Sequence, residues 1–197
     1  MYDVAVCTDS FADPETVPYG ERTLACLLWA LIFADQSYLI SQDRKALQDR
    51  RMGRAVDPVP LLYNAGVVWK REEPQHRTAC PEGEGQELFL GVRQVINQGH
   101  ADCEDVACWR VAELRLGRSL DKRPRMPPNK GHPRPTVLPL PYPMQPAGPA
   151  VLPAFFKRQT GPSAWTYHIV VWWPDGTFED PSRVLGMGAG VPDDLYG

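Results

Sequence analysis

The longest apolar run in the chain is Thr23 to Ala34 (TLACLLWALIFA), with Glu21 and Arg22 before it and Asp35 after it. An uncharged stretch of about a dozen residues falls short of the roughly 20 that a bilayer crossing takes, so the run predicts the buried part of a helix. That helix is expected over Glu21 to about Leu47, with a break near Ser37. It passes into a charged segment, Gln42 to Arg54, where Arg44, Lys45, Arg50, Arg51 and Arg54 are partly offset by Asp43 and Asp49. A solvated helix face is the expectation there, with a local anion or nucleic-acid contact as the alternative.

Elsewhere the pattern changes period. Asp3 to Cys7 (DVAVC) reads as a short strand, and Thr8 to Gly20 as a loop. In Val59 to Lys70, β-branched and aromatic residues flank Asn64-Ala65-Gly66, which predicts a turn or short hairpin. Pro74 to Gly85 is polar and loop-like. Glu87 to Asn97 predicts a helix that stops at Gln98-Gly99. A second helix follows: Asp102 can cap it, Asp105 completes a capping box, Ala107, Val111 and Leu114 form an apolar stripe, and Gly117 is placed to end it. Trp165 to Trp173 is strongly strand-like, Pro174-Asp175-Gly176 is a turn, and Thr177 to Asp180 begins a return strand that Pro181 ends. The pattern holds no internal repeat, and together these elements predict a single α+β domain.

Composition changes this picture in one place. Of 21 prolines, eleven fall between Asp121 and Pro153. Proline lacks the amide hydrogen and fixes φ, so residues 118 to 163 are expected to form an extended insertion or arm rather than a helix or an inner strand. The arm is either a connector or a docking strap for a partner. The net charge of −3 gives no reason to expect a nucleic-acid partner. Five irregularly spaced cysteines, Cys7, Cys26, Cys80, Cys103 and Cys108, argue for free thiols in a reducing compartment. The N-terminus shows no basic region followed by an apolar one, so no signal peptide and no membrane partner are expected.

The chemistry concentrates on three residues. Cys103 falls in the first turn of a predicted helix, where partial positive charge and unpaired N–H groups favour a thiolate and an oxyanion. A structural cysteine is the plain alternative. His168 lies within a hydrophobic strand, where it is either a general base or a histidine satisfied by the backbone. Asp180, beyond the turn, has the chemistry to orient that imidazole, although Glu179 and Asp175 are equally acidic. A competing grouping is zinc held by His76, Cys80, His100, Cys103 and Cys108, but the spacings form no paired CxxC arrangement.

Taken together, Gly99-His100-Ala101-Asp102-Cys103-Glu104-Asp105-Val106-Ala107 resembles the Gly-x-x-Asp-Cys-acidic-Asp pattern of the transglutaminase-like cysteine proteases, a branch of the papain-type fold. Tyr167-His168-Ile169-Val170-Val171, Pro174-Asp175-Gly176 and Glu179-Asp180-Pro181-Ser182 resemble that family's histidine strand, hairpin and Asp-Pro-Ser/Thr end. Tyr63 to Trp69 and Leu185-Gly186-Met187 look like small phage and prophage members, less specifically. The resemblance implies Cys103 as nucleophile, His168 as base and Asp180 as orienting acid. It also implies a helix bearing the nucleophile packed on a small antiparallel sheet.

The function implied is a peptidase or amidase acting through an acyl-enzyme on a peptide or protein substrate, with no organic cofactor and no metal. The other reading is a structural or assembly protein of a phage particle that keeps this fold and binds neighbouring subunits through its proline-rich arm. The corresponding locations are the cytoplasm or a phage virion. Gln98 is the one candidate for a side-chain oxyanion donor, by proximity alone.

Register decides whether the histidine and the acid can meet. With Pro174-Asp175-Gly176 as a three-residue loop, Trp173 pairs with Thr177 and Val170 stands opposite Asp180, so His168 and Asp180 share a face. A two-residue loop would put them on opposite faces. The three-residue loop is the expectation.

Overall fold

The computed structural model describes residues 17–71, 89–119, 134–138, 150–159 and 165–187. The expected strand at Asp3–Cys7, the loop at Pro74–Gly85 and most of the proline-rich segment lie outside these residues.

The chain is a mixture of helix and sheet. Helix α1 runs over Val17–Arg51 without interruption. The break expected near Ser37 does not occur: the residue stays within the continuous helix, its hydroxyl donating to the carbonyl of Phe33 at 2.9 Å. A 3-10 turn at Leu62–Asn64 leads to strand β1 (Val68–Trp69). Of the turn or short hairpin expected around Asn64-Ala65-Gly66, the turn forms and the hairpin does not. Gly66 takes the turn at φ 71°, and β1 pairs in parallel with β2 (His100–Ala101) instead. Helix α2 occupies Val92–Gln98, starting later than expected and stopping at Gly99, which is left-handed at φ 74°.

Helix α3 (Cys103–Arg115) begins as the sequence predicts. Asp102 is its N-cap and forms a capping box with Asp105, and Gly117 follows its end at φ 65°. The four-stranded antiparallel sheet has the order β3-β4-β5-β6, formed by Thr136–Val137, Leu152–Gln159, Trp165–Trp172 and Phe178–Glu179. A last short helix, α4 (Pro181–Val184), has Asp180 as its N-cap and proline in its first turn.

Strand β4 corrects the expectation that 118–163 forms an extended insertion or arm without an inner strand. It is an inner strand, with all eight residues paired to β5 from Leu152↔Trp172 to Gln159↔Trp165. It tolerates Pro153 because that proline is only its second residue, and no other follows until Pro162. The Pro153 carbonyl still accepts from Leu138 N at 3.0 Å. Between these points Ala154-Phe155-Phe156 is apolar and aromatic, which suits a buried strand.

The core lies between α1, α3 and one face of the sheet. Leu24, Leu28, Trp29, Ile32 and Leu39 of α1 meet Val106, Trp109 and Val111 of α3, which in turn meet Phe155, Ile169 and Val171. The opposite face of the sheet carries a smaller cluster, Ala154, Phe156, Val170 and Phe178.

Candidate functional site

The hairpin β5–β6 has the expected three-residue loop. Trp173 N donates to Thr177 O at 2.8 Å, Gly176 N donates to Trp173 O at 3.0 Å, and Gly176 sits at φ 82°. Asp175 accepts from both the amide and the hydroxyl of Thr177, which steadies the turn. The ladder then runs Trp172↔Phe178 and Val171↔Glu179. One step further, Asp180 comes level with Val170. His168 Nε2 and Asp180 Oδ2 are 3.0 Å apart, with both side chains buried. Asp180 Oδ1 also accepts from Arg183 N as the cap of α4, so its carboxylate is held from two sides.

Cys103 is the first residue of α3 and is 8% exposed. Its thiol donates to Glu104 Oε2 at 3.3 Å. The Asp102 and Glu104 carboxylates and the thiol lie within 4.8 Å of one another. Nearby carboxylates favour the protonated thiol, and the helix terminus favours the thiolate. Cys103 N is occupied, donating to Asp102 Oδ1 at 2.6 Å.

Two connections relate Cys103 to the His168–Asp180 pair. After Asp180 the chain passes through α4 to Leu185, whose carbonyl accepts from Trp69 N at 2.9 Å. Trp69 pairs with Ala101, two residues before Cys103. On the other side, Arg110 of α3 grips Glu179, which pairs with Val171. From that level Cys103 is seven residues back, roughly 10 Å at a helical rise of about 1.5 Å. His168 is three residues along β5, again roughly 10 Å at about 3.3 Å per residue.

The faces differ. Ile169, Val171 and Glu179 point to the body of α3, so alternation turns His168, Val170 and Asp180 to the other side. His168 nevertheless lies beyond the last β5–β6 pair, where β5 has β4 along one edge and no ladder partner along the other among the described residues.

The sequence reading missed two features. One is the indole of Trp69, whose buried Nε1 has no acceptor among the described residues. Gln98, the donor proposed by proximity, is committed to the carbonyl of His100 at 2.8 Å. A tryptophan on a strand reads as packing, and only the parallel pairing of β1 with β2 brings it near Cys103 in the fold.

The second is a buried charged cluster along α3. Arg110 Nε binds Glu179 Oε1 at 2.8 Å, and Arg110 Nη1 lies 3.5 Å from Glu113 Oε2. Tyr63 donates its hydroxyl to Glu179 and lays its ring under the Arg110 guanidinium, 4.9 Å away. Glu113 also accepts from Leu62 N at 2.8 Å. Burial raises the Glu113 carboxyl above its usual range, against the pull of the Leu62 amide and Arg110. The Arg110 guanidinium is opposed by burial, but Glu179, Tyr63 and Glu113 together hold it above its ordinary value.

Of the zinc-type grouping, His76 and Cys80 lie outside the described residues. Cys108 is buried at mid-helix and donates to Leu28 O, and its thiol is pushed well up by burial and then by Asp35, Asp105 and Glu104. Cys26, Cys103 and Cys108 are all free thiols. Comparison with protein-family models, with curated proteins and with solved structures finds no match for this chain.

Proposed function

We propose that this protein is a cysteine-dependent hydrolase of transglutaminase-like kind, a peptidase or amidase using Cys103, His168 and Asp180. The observation that carries the reading is the buried 3.0 Å contact between His168 Nε2 and Asp180 Oδ2. A carboxylate on one ring nitrogen fixes the tautomer: Nε2 bears the hydrogen, and Nδ1 keeps its lone pair for use as a base.

In the proposed reaction Nδ1 takes the proton of the Cys103 thiol. The thiolate attacks an amide or ester carbonyl, and the C–N or C–O bond of the substrate breaks as the imidazolium returns the proton to the leaving group. Water, deprotonated by the same nitrogen, then releases the acyl group from sulfur. Asp180 stays ionised throughout and balances the imidazolium. The Trp69 indole N–H, which has no acceptor among the described residues, is the donor we assign to the oxyanion, because Gln98 and the Cys103 amide are already engaged.

Limiting iodoacetamide, or an electrophilic trap for an acyl-enzyme, tests this by peptide mapping. Cys26 is exposed and Cys103 is buried, so accessibility alone favours Cys26. Preferential modification of Cys103 is expected, falling about a hundredfold or more in His168→Ala. Labelling of Cys26 with Cys103 inert would sink the proposal.

A further inference from the structure

The buried cluster beneath the sheet has a cost that fold stability does not explain. Arg110, Glu113 and Glu179 are each 0% exposed. Charges taken fully out of water lose hydration that their mutual attraction barely restores, and apolar replacements of similar volume are commonly as stable or more so. Glu179 Oε2 is buried without a partner among the described residues, so the cluster is not optimised even as a polar network. What it does is geometric. Arg110 belongs to the helix that begins at Cys103, and Glu179 is the residue before Asp180 on a strand only two residues long. Two ladder pairs hold β6 weakly to β5. Successive side chains of a strand point to opposite faces, so a grip on Glu179 from the α3 side turns Asp180 toward His168. Tyr63 closes the grip by its hydrogen bond to Glu179 and its ring contact with Arg110.

We infer that Arg110, Glu179 and Tyr63 are positioning residues that tie β6 to α3 and thereby hold Asp180 against His168 and both in register with Cys103. This inference rests on the cysteine-hydrolase reading above. None of the three need touch a substrate. They set the distance between the helix that carries the thiol and the strand that carries the carboxylate.

The test uses two mild variants, Tyr63→Phe and Glu179→Gln, with two readouts: the ring ¹⁵N shifts of His168, and the rate of Cys103 alkylation against pH. In the native protein the shifts should report one tautomer with hydrogen on Nε2. In the variants they should move toward a mixture of tautomers, and alkylation should slow by about ten- to a hundredfold, as a small misplacement of reacting groups does. Tyr63→Phe deletes only a hydroxyl, so it keeps the test open if Glu179→Gln fails to fold. Folded variants with a native tautomer signature would overturn the inference, whatever their reactivity. Failure of the underlying reading looks different: Cys103 reactivity would be indifferent to His168→Ala in the native background, while the tautomer readout would still judge the tie.

Discussion

Helices α1 and α3 invert the usual relation between hydropathy and burial. The α1 stretch Leu24–Arg51 is long and apolar enough, by composition, to cross a membrane. Yet Ile40 and Leu47 on it stand exposed, and only one of its faces enters the core. Helix α3 carries Glu104, Asp105, Arg110, Glu113 and Arg115 among its 13 residues, and all but Leu114 and Arg115 are buried. The difference is position. Helix α1 is an outer layer with a single apolar face to satisfy, whereas α3 is sandwiched between α1 and the sheet and has little surface left for solvent. A helix in that place must either be apolar all round or find a partner for each charge. This one finds partners: Asp105 holds Leu90 N at 2.7 Å, Glu113 holds Leu62 N, and Arg110 holds Glu179.

The sharpest way to break this comparison is to remove the shared cation. Arg110→Ala leaves Glu113 and Glu179 buried without their counter-ion, and should cost about 3–5 kcal/mol of stability by denaturant unfolding. A loss below about 1 kcal/mol would mean that the carboxylates are neutral or reach water, and that α3 is less enclosed than its burial implies.

A smaller effect, readable through pH, concerns Asp35, which is buried more deeply than Asp49, the other buried carboxylate of α1 among the described residues. Asp35 accepts from Val92 N at 2.9 Å with one oxygen, while its other oxygen is buried without a partner among the described residues. Burial raises its carboxyl from 3.8 to about 8, the Val92 amide pulling the other way and Glu113 adding to the rise. The folded state thus keeps a proton that the unfolded chain releases. The associated stability is complete below the unfolded value and is lost as pH climbs toward the folded one. Native stability relative to Asp35→Asn should therefore fall between pH 5 and pH 8, by at most about 1.4 kcal/mol per pH unit for one proton. A difference that stays flat over that window would show Asp35 ionised in the folded protein.

How much of this was legible in the sequence follows the same division. Features set by neighbours in the chain were readable. The Asp102–Asp105 capping box, the stops at Gly99 and Gly117, and the Pro174–Gly176 loop all follow from local backbone chemistry. That loop was enough to anticipate His168 meeting Asp180, because loop length alone decides which residues share a face. Features set by distant partners were not readable. Nothing local to Arg110 announces Glu179, 69 residues away. The parallel pairing of β1 with β2 was hidden because the same residues also suit a hairpin. Proline density, averaged over 118–163, concealed a strand whose residues after Pro153 are proline-free and open on the apolar Ala154-Phe155-Phe156. The turning of His168 away from the body of α3 is likewise set by distant partners, Arg110 on Glu179 and the α3 core around Ile169 and Val171, and could not be seen from the hairpin alone.

The smallest expected effect lies on the outer helix, and it sharpens the comparison from the other side. Ile40 and Leu47 are 38% and 52% exposed, so replacing both with glutamine removes little buried apolar area. Glutamine is also a good helix former, so the backbone loses nothing at these positions. Stability should change by no more than about 0.5 kcal/mol for each, as at other surface sites away from special features. The same double variant probes the membrane-like composition of Leu24–Arg51. If that helix met lipid through this face, Ile40 and Leu47 would lie against acyl chains and glutamine there would be costly. Flotation with phosphatidylcholine vesicles should accordingly be the same for the variant and the native protein. A stability loss above about 1 kcal/mol, or a fall in flotation, would show that something covers this face of α1 and that the contrast with α3 is smaller than the structure of the chain alone displays.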